Sequence, residues 1–160
     1  MQYSDHMNGE RIVVTGTGMI TAVGHNVPDT WSAIMAGKSG FGDITLFDGE
    51  LHGLGGVCEV KDFDPAAYLG HKVARRSDRY QQLAAVAAAE ALEQSGFQVT
   101  DDNRERVGLY LGTGVGGIRT LVDQEHVLYD AGARRLSPFA ITMIMPSSCP
   151  IFYIWCRPVT

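Results

Sequence analysis

Gly112-Thr113-Gly114-Val115-Gly116-Gly117 satisfies the pattern GxGxxG, in which glycines let the backbone approach a pyrophosphate at a helix N-terminus. The apolar run Val107 to Leu111 precedes it, a helical pattern from Ile118 to Tyr129 follows, and Asp130 lies eighteen residues after Gly112. A dinucleotide-binding fold is therefore a rival reading. Two features count against it. That fingerprint belongs on the first βα unit, and here a long stretch of chain precedes it. The acid should end a second strand, whereas Tyr129-Asp130-Ala131-Gly132 reads as a helix end. A second motif, Gly37-Lys38-Ser39, has the ending of a phosphate-binding P-loop. Ser32 stands where that loop needs its first glycine, and a helix rather than a strand precedes it, so a helix C-terminal turn is the better reading.

Lys72, Arg75, Arg76 and Arg79 form a basic cluster, which on pattern alone is a solvated helix face. The formal net charge is −5, which argues against bulk attraction to nucleic acid or an anionic membrane. Cys58, Cys149 and Cys156 show no CxxC or zinc-type spacing, so reduced thiols in a cytoplasmic protein are the default. The start, MQYSDHMNGE, lacks the basic-then-apolar layout of a signal peptide. No apolar run is long enough to span a bilayer.

The elements that must position these residues follow an α/β pattern. Ile12-Val13-Val14 is a continuous apolar run without alternation, as in a strand covered on both faces. Thr15-Gly16-Thr17-Gly18 ends it with residues that allow close backbone approach. Val107 to Leu111 reads as a second strand. Asn26-Val27-Pro28-Asp29 is a helix start, and Trp31, Ile34 and Met35 at helical spacing should face the sheet. A short strand is predicted near Gly56 to Val60. Asp64-Pro65 starts a helix through Leu69. Tyr80 to Gln94 is the longest helical pattern, with alanine on several sides, which predicts burial on more than one side and ending at Ser95-Gly96. Ala140 to Met145 is apolar with no useful period. The last dozen residues, CPIFYIWCRPVT, fit neither a helix nor a strand pattern.

Six segments in order resemble the N-terminal part of a β-ketoacyl-acyl carrier protein synthase, nearest the elongating synthase II branch. They are RIVVTGTGMITAVG, AGKSGFGDITLFD, CEVKDFDP, ARRSDRYQ, RVGLYLGTGVGG and RRLSPFAI. The resemblance implies the N-terminal, incomplete part of a thiolase-like fold, a mixed sheet flanked by helices. In it Arg11 to Thr15 would be the central strand and Val107 to Leu111 a further one. It divides the chain into a disordered lead-in at 1–10, a ketosynthase segment at 11–148, and an aberrant tail at 149–160. The abrupt loss of family register after Ser148 suggests that the tail is read out of frame.

The chemistry the resemblance implies is decarboxylative condensation of an acyl thioester with malonyl-acyl carrier protein in fatty acid biosynthesis. A cysteine thiolate at a helix N-terminus takes the acyl chain, two histidines assist loss of CO2, and backbone amides stabilise the oxyanion. The substrates ride on the phosphopantetheine of acyl carrier protein, so no separate cofactor and no metal is implied. By register the nucleophile falls beyond Thr160, and both histidines lie further on. Cys149 and Cys156 lack the family's Thr-Ala context and sit near Pro150 and Pro158. His6, His25, His52, His71 and His126 match no catalytic position. This chain alone is therefore expected to be inactive. Lys72, Arg75 and Arg76 match positions that contact acyl carrier protein. Val115, Phe139 and Ala140 match positions at the acyl-chain pocket. Family members are usually homodimers. The alternative is a non-catalytic module that binds acyl carrier protein or a synthase subunit.

Overall fold

The structure is a computed structural model that describes residues 11–47 and 53–149. The lead-in at 1–10, His52, Cys156 and all of the tail except Cys149 lie outside the described residues.

The longest helix, α4 (Arg79–Ser95), forms where the alanine-rich pattern puts it. Alanine loses no side-chain entropy in a helix and hides no polar group. The start is fixed by a reciprocal cap. The Asp78 side chain accepts from the backbone N–H of Gln81, and the Gln81 side chain accepts from the Asp78 N–H at 3.0 Å. The end is fixed by Gly96, which takes the left-handed conformation (φ 63°, ψ 10°) that costs glycine little.

Small residues along α4 let another backbone lie directly on it. A Cβ at Gly16 would fall on the carbonyl of Ala91, and one at Gly18 on that of Ala87. Side chains of α4 also supply the hydrogen bonds of that segment. Gln94 Oε1 accepts from the Thr17 N–H at 2.5 Å, and Glu90 Oε2 accepts from the Met19 N–H at 2.8 Å. Glu90 Oε1 accepts from the Val27 N–H at 2.8 Å, at the first residue of α1 (Val27–Met35). That puts a carboxylate at the positive end of the α1 dipole. Asn26 caps α1, accepting from the Asp29 N–H at 2.7 Å.

The strands predicted at Ile12–Val14 and Val107–Leu111 are not formed. Among the described residues the sheet is two-stranded, β1 (Phe41–Gly42) antiparallel to β2 (Val57–Cys58), with Phe41 opposite Cys58. An apolar run becomes a strand only where a neighbour completes its ladder of N–H and C=O groups. Neither run has such a neighbour among the described residues. Ile12, Val13 and Val14 are 82%, 63% and 83% exposed, the reverse of a covered central strand. Full burial of each would contribute about 1.5–3 kcal/mol, most of which is not realised. Residues 107–111 keep a period of two without a ladder: Val107, Leu109 and Leu111 are half-buried, while Tyr110 is 97% exposed. Leu109 and Leu111 pack on the fully buried pair Ala85 and Cys149, together with Leu69, Ala84 and Ala88. The fold is therefore helix-rich with a small sheet, rather than a sheet flanked by helices.

The same cause corrects the reading of α1. Trp31, Ile34 and Met35, expected to face a sheet, are exposed. Its buried residues are Thr30 and Ala33, and the Thr30 hydroxyl donates to the Gly24 carbonyl at 3.2 Å.

Among the described residues there are four further α-helices. Asp64 caps α2 (Pro65–Leu69), accepting from the Ala66 N–H at 2.9 Å, as the Asp-Pro signal predicts. Gly70 (φ 74°) turns the chain from α2 into α3 (His71–Ala74). The last two are α5 (Ile118–Ala131) and α6 (Ala140–Ile144). Helix α6 occupies the apolar stretch that showed no period, because five residues are too few to display one. Asp130 lies inside α5, and the glycine loop before α5 follows no strand. The dinucleotide fingerprint thus lacks its structural context.

Candidate functional site

Two helix starts and one helix end meet at a buried carboxylate. Asp78 is 7% exposed. Its Oδ2 accepts from the Thr120 hydroxyl at 2.5 Å and the Thr120 N–H at 3.2 Å, and its Oδ1 accepts from the Tyr80 N–H at 3.3 Å. Thr120 lies in the first turn of α5 and is itself buried. Gln81, 1% exposed, turns its amide N–H groups to the carbonyls of Thr142 (2.9 Å) and Met145 (3.2 Å). The Tyr80 hydroxyl donates to the Ile144 carbonyl at 3.2 Å. Burial pushes the Tyr80 phenol above its ordinary pKa, which keeps it in the neutral, donating form. The Gly117 N–H reaches the same Ile144 carbonyl at 3.2 Å. Among the described residues Asp78 makes no ion pair, so these hydrogen bonds are what make its burial tolerable.

The basic face lies immediately before this junction. Lys72 on α3 and Arg75 and Arg76 just after it are exposed, and among the described residues none makes an ion pair. Their backbone is held rigidly from behind. Gln82 Nε2 donates to the carbonyls of Ala74 (2.9 Å) and Ser77 (3.0 Å), and the Ser77 hydroxyl donates to the Val73 carbonyl at 2.8 Å. A cavity of about 590 Å³ lined by Pro65, His71, Ala74, Arg75 and Gln82 borders this face. Arg79, the fourth member of the sequence cluster, points elsewhere. It donates to the Val60 carbonyl at 2.5 Å and lies 5.6 Å from the centroid of Phe63.

Arg76 joins the two sets of residues singled out in the sequence. Its guanidinium sits over the Phe139 ring, 4.4 Å from the centroid. Phe139 and Ala140 open α6. Val115 is exposed on the glycine loop, where Gly116 and Gly117 lie against the backbone of Met143 and Ile144. Val115, Phe139 and Ala140 line neither the cavity beside α3 nor a second one, also about 590 Å³, bounded by Thr45, Leu46, Val60, Phe63 and Arg79. Near that second cavity Glu59 is buried. It accepts from the Thr45 hydroxyl at 2.5 Å, the Thr45 N–H at 3.1 Å and the Leu46 N–H at 3.0 Å. The Thr45 hydroxyl is the chief cause holding the Glu59 carboxyl below the usual carboxylate range.

Among the described residues no group of three His, Cys, Asp or Glu side chains is placed to hold a metal. His25 is engaged with the Lys61 carbonyl at 2.9 Å and meets Phe63 edge-on, while His71 and His126 are exposed. Cys58 is exposed on β2. Cys149 is fully buried, its Sγ 3.7 Å from the Gln81 carbonyl. Asp78, Gln81 and Thr120 were not singled out in the sequence. The spacing Asp78-x-x-Gln81 is a capping-box signal and pointed to the first two. Nothing in the local sequence pointed to Thr120, because its partner is forty-two residues away.

The fold is similar to that of ketosynthases over most of the chain. A solved structure, the ishigamide ketosynthase/chain length factor, superposes with a TM-score of 0.75 at 28% identity, covering 91% of this chain and 37% of that one. A type II PKS acyl-carrier protein complex with its ketosynthase bound to the hexaketide gives a TM-score of 0.67 at 24% identity, over 91% and 40%. The chain belongs to the beta-ketoacyl synthase family: the model of its N-terminal domain matches residues 9–151. It is similar to 3-oxoacyl-(acyl-carrier-protein) synthase 2 of Synechocystis sp., 38% identical over 88% of this chain and 34% of the relative. The synthase 2 of Coxiella burnetii is 39% identical over 84% and 33%. The chain thus spans about a third of the length of these relatives. No helix among the described residues is long and apolar enough to cross a membrane.

Proposed function

We propose that this chain is the N-terminal portion of a 3-oxoacyl-(acyl-carrier-protein) synthase and supplies that enzyme's carrier-docking face. The parent reaction is decarboxylative condensation of an acyl thioester with malonyl-acyl carrier protein. No cysteine or histidine of these 160 residues matches the family's nucleophile or its two histidines, and no turnover is expected of these residues alone. The observation that carries the docking role is the exposed trio Lys72, Arg75 and Arg76, none of which makes an ion pair among the described residues, on a backbone braced by Gln82 and Ser77. Such a face attracts an acidic helix by long-range steering and fixes its register on contact. Val115, Phe139 and Ala140 contribute to the acyl-pocket wall only once the remaining synthase segments close over them.

The test is to mix the purified chain with acyl carrier protein. Binding that is lost in Lys72→Glu/Arg75→Glu, together with no condensation activity, supports the reading. Turnover by the chain alone would contradict it and make Cys149 and Cys156 candidates for the nucleophile. A second reading, a non-catalytic module that pairs with a synthase subunit, is favoured by the exposed Ile12, Val13, Val14 and Tyr110. Co-elution with a complete synthase, in preference to carrier protein, would select it.

A further inference from the structure

Arg76 serves both the basic face and α6. Its guanidinium lies 4.4 Å from the Phe139 ring centroid and makes no ion pair among the described residues. A guanidinium is flat. Held over a ring by cation–π attraction, it still has N–H groups to offer a carboxylate. The long side chain is then partly ordered before any partner arrives, which lowers the entropy lost on binding. The segment carrying the ring is held from both directions. The Phe139 N–H donates to the Ser137 hydroxyl at 3.2 Å, and the Ser137 N–H donates to Gln124 Oε1, on α5, at 2.6 Å. The Phe139 carbonyl accepts from the Met143 N–H at 2.9 Å and the Thr142 hydroxyl at 2.8 Å. The aromatic platform is thus braced, while among the described residues Lys72 and Arg75 rest on no ring.

We propose that Phe139 is a positioning residue for Arg76: its ring holds the guanidinium in place for a carboxylate of an acidic helical partner. This rests on the docking reading above. Linkage makes the effect reciprocal. A partner that engages Arg76 over the ring favours the Arg76–Phe139 contact, and that contact favours the partner by the same factor.

A double-mutant cycle tests this. Affinity of the 160-residue chain for acyl carrier protein is measured at low ionic strength, with a thermal melt of each variant. Phe139→Leu is expected to weaken binding about two- to five-fold, the worth of an exposed cation–π contact. Phe139→Trp, which keeps a π face, should restore it. In an Arg76→Ala background Phe139→Leu should have no further effect. Equal weakening in both backgrounds, no weakening, or tighter binding would overturn the proposal. A wild-type chain without carrier affinity would overturn the docking reading and this inference with it. Carrier binding that is lost on reversing Lys72 and Arg75 but ignores Phe139 would overturn this inference alone.

Discussion

Replacing Asp78 by alanine removes the acceptor that ties the start of α4 to the start of α5. The cost has two parts. Loss of the N-cap at Tyr80 and Gln81 costs about 1 kcal/mol. The Thr120 hydroxyl and N–H, at 2.5 and 3.2 Å from Oδ2, are left in a buried site, which adds about 1–3 kcal/mol. Asp78→Ala should therefore destabilise by about 2–4 kcal/mol. With a urea m-value of about 1–3 kcal/mol/M, the midpoint should fall by about 0.7 M or more. Thr120→Val should cost less, since it removes one of the four donors. The double variant should be less destabilised than the sum of the two, because both changes break the same contact. Urea unfolding of the four proteins, read by far-UV circular dichroism, gives all these quantities. A cost below about 0.5 kcal/mol for Asp78→Ala, or strict additivity with Thr120→Val, would refute the reasoning.

Three other outcomes follow from the structure. Val14→Lys should change the stability of this chain by less than about 0.5 kcal/mol, since Val14 is 83% exposed, and a loss of several kcal/mol would restore it to a covered strand. Gly18→Ala should destabilise by about 1–3 kcal/mol, because its Cβ meets the Ala87 carbonyl and the segment must lift from α4; a neutral result in thermal melts would contradict that close approach. Glu59 has a folded pKa below its unfolded value of about 4.3, so its stabilisation is present above that pH and is lost as pH falls through the folded pKa. Glu59→Gln should accordingly flatten the acid limb of stability below about pH 4.3, and an unchanged acid limb would show that Glu59 does not carry it.

What the sequence made legible was local. Asn26 with Pro28, Asp64 with Pro65, and Gly96 each mark a helix boundary within a few residues, and α1, α2 and α4 begin and end there. Close approach at Gly16 and Gly18 was readable too, since glycine opposite alanine leaves little else to separate two backbones. The short strand expected near Gly56 to Val60 forms as β2, but the two longer runs were not legible in the same way. Ile12–Val14 has the composition of a covered strand, but a ladder is a property of two segments and composition describes one. Trp31, Ile34 and Met35 were misplaced for the same reason, as among the described residues no sheet covers them and they are exposed. The basic face was visible as charge, although Arg79 turned away to Val60, a contact that no spacing announces. The Arg76–Phe139 contact and the Asp78–Thr120 bond join residues sixty-three and forty-two positions apart, beyond any local pattern.

The central claim is that Lys72, Arg75 and Arg76 receive an acidic carrier. The most direct measurement is the affinity of the chain for acyl carrier protein as salt is raised from about 0.05 to 0.5 M, where screening shortens the reach of charge. The wild-type chain should bind, and weaken steadily with salt. Lys72→Glu/Arg75→Glu/Arg76→Glu, with an unchanged melt, should show no binding at any salt concentration. Equal affinity in the two proteins, or wild-type binding indifferent to salt, would contradict the claim.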